Sequence, residues 1–233
     1  MAALLVLGLV FLYGATGTTA IHRIVNGAGV PLIQGGMAMT TLSTVGLILV
    51  FAGLGFKTAA VPFHAYVADV YEGAASPVAG LLGFVPKFAG FLALIKVLAA
   101  IGWNPPGEVS WLLWVMAAAT MTVGNVLALL QRNVKRMLAY SSVAHTGYML
   151  IALLVGPVAG QGPMRDGVAA LLFYVAVYGA MNLGVFALLG AFKNGTRDVE
   201  TLEDIAGLAR RSPGAAQHCW SRPRVGGCAR PPR

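Results

Sequence analysis

Residues 37 to 71 read as one apolar run, MAMTTLSTVGLILVFAGLGFKTAAVPFHAYVADVY, with one lysine, one histidine and one aspartate as its only ionisable groups apart from tyrosine. A straight helix of that length would measure roughly 50 Å at 1.5 Å per residue, against a bilayer hydrocarbon core of about 30 Å. The run must therefore break inside the membrane. The break is predicted within GLGFKTAAVPFH, where Gly53, Gly55 and Pro62 bracket Lys57, because proline deletes a helical donor and clashes with the preceding turn. Two half-helices meeting in the bilayer are the economical outcome.

The rest of the chain fits the same solvent. Hydrophobic residues make up 58% and charged residues 10%, whereas soluble domains carry about a quarter charged residues. Apolar runs bounded by polar or Gly/Pro-rich breaks predict six spans, at 2–17, 37–71, 75–100, 109–130, 135–156 and 166–192. The fold class is an all-α polytopic transmembrane bundle with one discontinuous helix, occupying residues 1–192. The N-terminus, MAALLVLGLVFLYGATG, lacks the basic region that opens a signal peptide and reads as a transmembrane helix.

A cytoplasmic amphipathic connection is expected over 193–213. Residues 214–233, GAAQHCWSRPRVGGCARPPR, have no apolar period and read either as a disordered tail or, the favoured reading, as a frame-shifted stretch. Six arginines and no acid lie from Arg210 onward, leaving 10 Lys and Arg against 8 Asp and Glu before it. The net charge of +8 is thus mostly a property of the tail and does not imply a nucleic-acid partner. Both cysteines, Cys219 and Cys228, fall in the same tail, so the membrane body has no disulfide or thiolate metal spacing.

The loop QRNVKR carries Arg132, Lys135 and Arg136 without an acid and is expected on the cytoplasmic side. Span parity places the turn at Asp69 and Glu72 on that side too. This acidic turn is the one discordant loop, and its two carboxylates, three residues apart, are expected to be solvated, to gate protons, or to pair with Lys57 or Lys87.

An ionisable group in hydrocarbon costs several kcal/mol unless it is solvated or paired, so the basic residues of the spans need reasons. Lys57 is either buried at the helix break, among carbonyls and water, or interfacial and snorkelling; the over-long run favours burial. Lys87 follows Pro86 near the middle of its span, where snorkelling is harder, and is read as functional. Lys96, nine residues on, falls on the opposite helix face and is read as a snorkelling anchor, with the exit of a proton path as the alternative. His145, in YSSVAHTGYM, is either an inter-helix hydrogen bonder or a relay, and His64 is weighed the same way. No P-loop, GxGxxG fingerprint, HExxH or cysteine cluster is present. Any redox chemistry belongs to partners.

At LGFKTAAVPFHAYVADVYEGAASPVAGLLGFVPKFAGF (54–91), with NVKRMLAYSSVAHTGYML (133–150) and NLGVFALL (182–189), the chain resembles the antiporter-like membrane subunits of respiratory complex I. The resemblance covers nearly all of residues 1–213 and stops before the tail. It implies a fourteen-helix fold with two inverted five-helix repeats, of which this sequence matches the sixth to eleventh helices. It implies proton transfer by Lys57 and Lys87, a multi-pass place in the bacterial inner membrane, and neighbouring membrane subunits as partners. NADH, flavin, iron-sulfur clusters and quinone would be bound by partner subunits, with no cofactor in this chain. The family's membrane glutamate and its second broken helix lie outside this sequence, and Ala68 stands where the family usually has proline. A subunit of a multi-subunit cation/proton antiporter, or a non-functional truncated product, are the alternatives.

Overall fold

Each apolar run becomes a helix in the computed structural model, which describes residues 2–17, 41–103, 105, 107–157, 166–191, 193–194 and 197–198. The helices are α1 (Ala2–Thr16), α2 (Thr41–Thr58), α3 (Tyr66–Gly73), α4 (Ser76–Ala100), α5 (Gly107–Leu129), α6 (Val134–Val155) and α7 (Gly167–Ala191). Five of them, α2 and α4 to α7, are long and apolar enough to cross a membrane, and α1 is shorter. Together with α1, these five helices lie where the six apolar runs predict spans, and α3 continues the second run beyond its break. A two-residue ladder, β1 (Lys193–Asn194) against β2 (Arg197–Asp198), is antiparallel and adds a minimal hairpin to an otherwise helical chain. The expected connection at 199–213 and the tail with Cys219 and Cys228 lie outside the described residues.

The break in the second span falls in the C-terminal half of the predicted stretch, around Pro62. Gly53, Gly55 and Lys57 are all helical, and α2 runs on to Thr58; the interruption occupies 59–65. Ala59 takes a left-handed φ of 63° and the Val61–Pro62 bond is cis. Gly53 has a packing role instead, since a Cβ there would meet Leu5 of α1 at 2.8 Å. Small residues let membrane helices approach closely, where dispersion rather than water exclusion drives association.

A broken helix inside a bilayer must find partners for its backbone. Two threonines on other helices supply them. The Val61 amide donates to Thr120 Oγ1 of α5 at 3.0 Å, and Thr146 Oγ1 of α6 donates to the Thr58 carbonyl at 3.0 Å. Tyr66 Oη donates to the Phe56 carbonyl at 2.9 Å, while Ala60 N and Phe63 N close local turns onto Gly55 O and Ala60 O. The α5–α6 hairpin thereby fixes the shape of the break.

The discordant acidic turn has a direct explanation. Arg136 of α6 binds both Asp69 at 3.1 Å and Glu72 at 2.7 Å, Asn133 Nδ2 donates to Glu72 at 3.4 Å, and the buried Lys135 donates to the Ala74 carbonyl at 3.3 Å. Asn133 also caps α6, its Oδ1 accepting from the amides of Lys135 and Arg136. The acids and the basic loop therefore share one end of the bundle, as span parity requires. Of the alternatives, pairing with Lys57 or Lys87 does not form, because α3 turns its Val67, Ala68 and Tyr71 face inward and its carboxylates outward.

Candidate functional site

Lys87 lies eleven residues into α4, directly after the in-helix Pro86. Only 4% of it is exposed. Its Nζ donates to the Ser142 carbonyl and, at 3.0 Å, to Ser142 Oγ on α6, and lies 5.5 Å from the centroid of the Tyr178 ring on α7. A ring face attracts a cation through its quadrupole, more strongly where water is excluded. Among the described residues no carboxylate pairs with this ammonium; both ion pairs belong to Arg136. Three helices thus converge on one basic group with neutral partners only.

Lys57 and Lys87 face a shared cleft of about 80 Å³, lined also by Tyr66, Val67, Tyr71 and Leu82. At about 15 Å³ per water-sized site, that volume has room for several waters. The cleft exists because the chain breaks at 59–65: α2 ends one residue after Lys57, α3 resumes on the other side, and α4 closes the floor. Burial of Lys57, the favoured expectation, is not observed. Its side chain is exposed although it lines the cleft, because it stands in the last turn of α2, where the chain breaks. Lys96 is exposed and does not line the cleft.

The structure brings His145 to this site and leaves His64 apart. His145 Nδ1 lies 2.6 Å from Tyr174 Oη, and its ring is 5.1 Å from that of Tyr178. Tyr178 is therefore next to both Lys87 and His145. His64 follows the break, half-buried, edge-on to Tyr140 at 6.5 Å, and is not a lining residue of the cleft.

Sequence reasoning missed Tyr71 and Tyr178, both buried beside Lys87. For Tyr178 the signal was available, since a phenol in the middle of an apolar span needs a place for its hydroxyl; Tyr71, at the end of its run, gave none. It also missed Asn182, whose Nδ2 donates to the Gly80 carbonyl at 2.9 Å and ties α7 to α4. Among the described residues no cluster of His, Cys, Asp or Glu could hold a metal.

A polytopic bundle with an interrupted apolar helix, a lysine buried with no counter-carboxylate among the described residues and a cleft beside it has the architecture of the antiporter-like membrane proteins. The chain belongs to the NADH:quinone oxidoreductase/Mrp antiporter membrane family, whose model matches residues 2–232. That match runs beyond residue 213, where the motif resemblance stops, and includes most of the tail. NADH-quinone oxidoreductase subunit N of Beutenbergia cavernae is 41% identical over 218 residues, covering 91% of this chain and 39% of the relative. A chain of Thermus thermophilus respiratory complex I superposes with a TM-score of 0.69 at 35% identity, over 91% of this chain and 42% of that one. A chain of the Mrp complex from Dietzia shares the fold, with a TM-score of 0.66 at 24% identity over 81% of this chain and 32% of its own. The chain spans about two fifths of the length of the relatives it matches.

Proposed function

We propose that this chain is a proton-conducting section of subunit N of a bacterial NADH-quinone oxidoreductase, embedded in the inner membrane among other membrane subunits. NADH, flavin, iron-sulfur clusters and quinone reside on those partners, and their chemistry drives the proton movement here. A proton enters through the cleft at Lys57, crosses water to Lys87, and leaves toward His145 past Tyr178. The observation that carries this reading is Lys87: it is buried, has no carboxylate partner among the described residues and lines the cleft it shares with Lys57. A structural lysine would be expected to have a counter-charge, because an unpaired ammonium in hydrocarbon is costly.

The test is the replacement Lys57→Met in the full-length subunit within its assembled complex. Proton translocation into vesicles per NADH oxidised is expected to fall several-fold, by removal of one proton-transfer group, while Lys96→Met leaves it unchanged. Equal effects of the two substitutions would contradict the assignment.

A further inference from the structure

The proton path described above uses His145 but leaves open what holds its ring. Two tyrosines on α7, one turn apart, flank the imidazole. Tyr178 offers its ring at 5.1 Å and is nearly fully buried; Tyr174 offers its hydroxyl to Nδ1 at 2.6 Å, with its ring tilted 45° to the imidazole. From its own helix His145 meets the ring of Tyr148, edge-on at 5.9 Å. The Tyr148 hydroxyl has a different partner, Asn125 of α5 at 3.4 Å. The nearest charged group of this site is Lys87 on α4, held by Ser142 one turn earlier on α6.

These contacts divide the two ring nitrogens. Nδ1 is engaged, whereas no hydrogen bond to Nε2 forms among the described residues. In a neutral imidazole one nitrogen donates and the other accepts, and the partner of one decides which form the other takes. A phenol is suited to this task because it can donate or accept and carries no charge into the bilayer interior.

We propose that Tyr174 is the positioning residue of His145: its hydroxyl holds Nδ1, fixes the ring beside Tyr178 and leaves Nε2 as the nitrogen that exchanges the proton. The inference rests on the proton-path reading, and the experiment separates the two. In the full-length subunit within its assembled complex, Tyr174→Phe removes one oxygen and keeps every ring contact. Proton translocation per NADH is expected to fall about tenfold, the equivalent of one lost hydrogen bond in the rate-determining geometry, and its pH profile is expected to move. Replacing Tyr174 with 3-fluorotyrosine keeps the fold and the hydrogen bond while making the phenol more acidic, so it too should displace the pH profile. This second variant decides the matter if Tyr174→Phe fails to assemble. An unmoved pH profile in an assembled variant, with or without lost transport, would overturn the proposal by reducing Tyr174 to a packing residue. Lys87→Met is measured in parallel: transport unaffected there would overturn the proton path itself, whereas loss there with Tyr174 variants like the parent overturns the role of Tyr174 alone.

Discussion

Lys87→Met is expected to lower proton translocation by the assembled complex at least about tenfold, as befits loss of a proton-transfer group, without impairing the fold. Methionine is close to lysine in length and is apolar and adaptable. It relieves the bilayer interior of an ammonium whose burial costs several kcal/mol. The groups that lose their donor are not orphaned. Ser142 lies inside α6, whose backbone ladder serves its carbonyl, and Ser142 Oγ still donates to the Ala139 carbonyl at 2.7 Å. Stability should therefore stay equal or rise while transport disappears, a separation that a structural lysine would not produce. Acidification of the vesicle lumen, followed together with NADH oxidation and subunit assembly, reads all three quantities. Retained transport would remove Lys87 from the path, and failed assembly would show that its hydrogen bonds hold the bundle together.

Gly124→Val is expected to act in the opposite way, destroying the bundle and transport together. A Cβ at residue 124 would lie 2.6 Å from the amide nitrogen and 2.9 Å from the Cα of Ala144. Both are backbone atoms of α6, so no side-chain rotation relieves the clash and the helices must separate. Overpacking a tight core commonly costs about 1–3 kcal/mol, and contact with rigid backbone places this site at or above the top of that range. The damage reaches the site, because α5 and α6 carry Thr120 and Thr146, the two residues that satisfy the broken backbone at Val61 and Thr58. The purified subunit should aggregate on size-exclusion chromatography in detergent. Gly184→Val, where nothing lies within 4 Å, should elute as the parent does. Identical behaviour of the two variants would refute the close packing of α5 on α6.

Much of the fold was legible because bilayer thickness is a strict ruler. Spans at 75–100, 109–130 and 135–156 correspond to α4, α5 and α6 with ends shifted by two residues or fewer, and the over-long run at 37–71 announced its own interruption. Within that stretch, the part played by each glycine was harder to read. Glycines permit both kinks and close helix packing, and at Gly53 the neighbour Leu5 decides for packing, a contact between residues 48 apart. The buried state of Lys87 followed from its depth in the span, yet its partners Ser142 and Tyr178 come from helices 55 and 91 residues away. Hydropathy reports how deep a residue sits and not which neighbour it faces. The same limit explains why Asp69 and Glu72 could not be assigned to Arg136, and why Lys57 was expected inside when its side chain is exposed.

On this proton path, water in one cleft joins Lys57 to Lys87. The most direct measurement is a density map of the assembled complex that resolves ordered water at this position. A hydrogen-bonded row of waters is expected, running from Lys57 Nζ past Tyr66 and Tyr71 to Lys87 Nζ. A lipid acyl chain or an apolar side chain filling the cleft, with no water between the two ammonium groups, would contradict it.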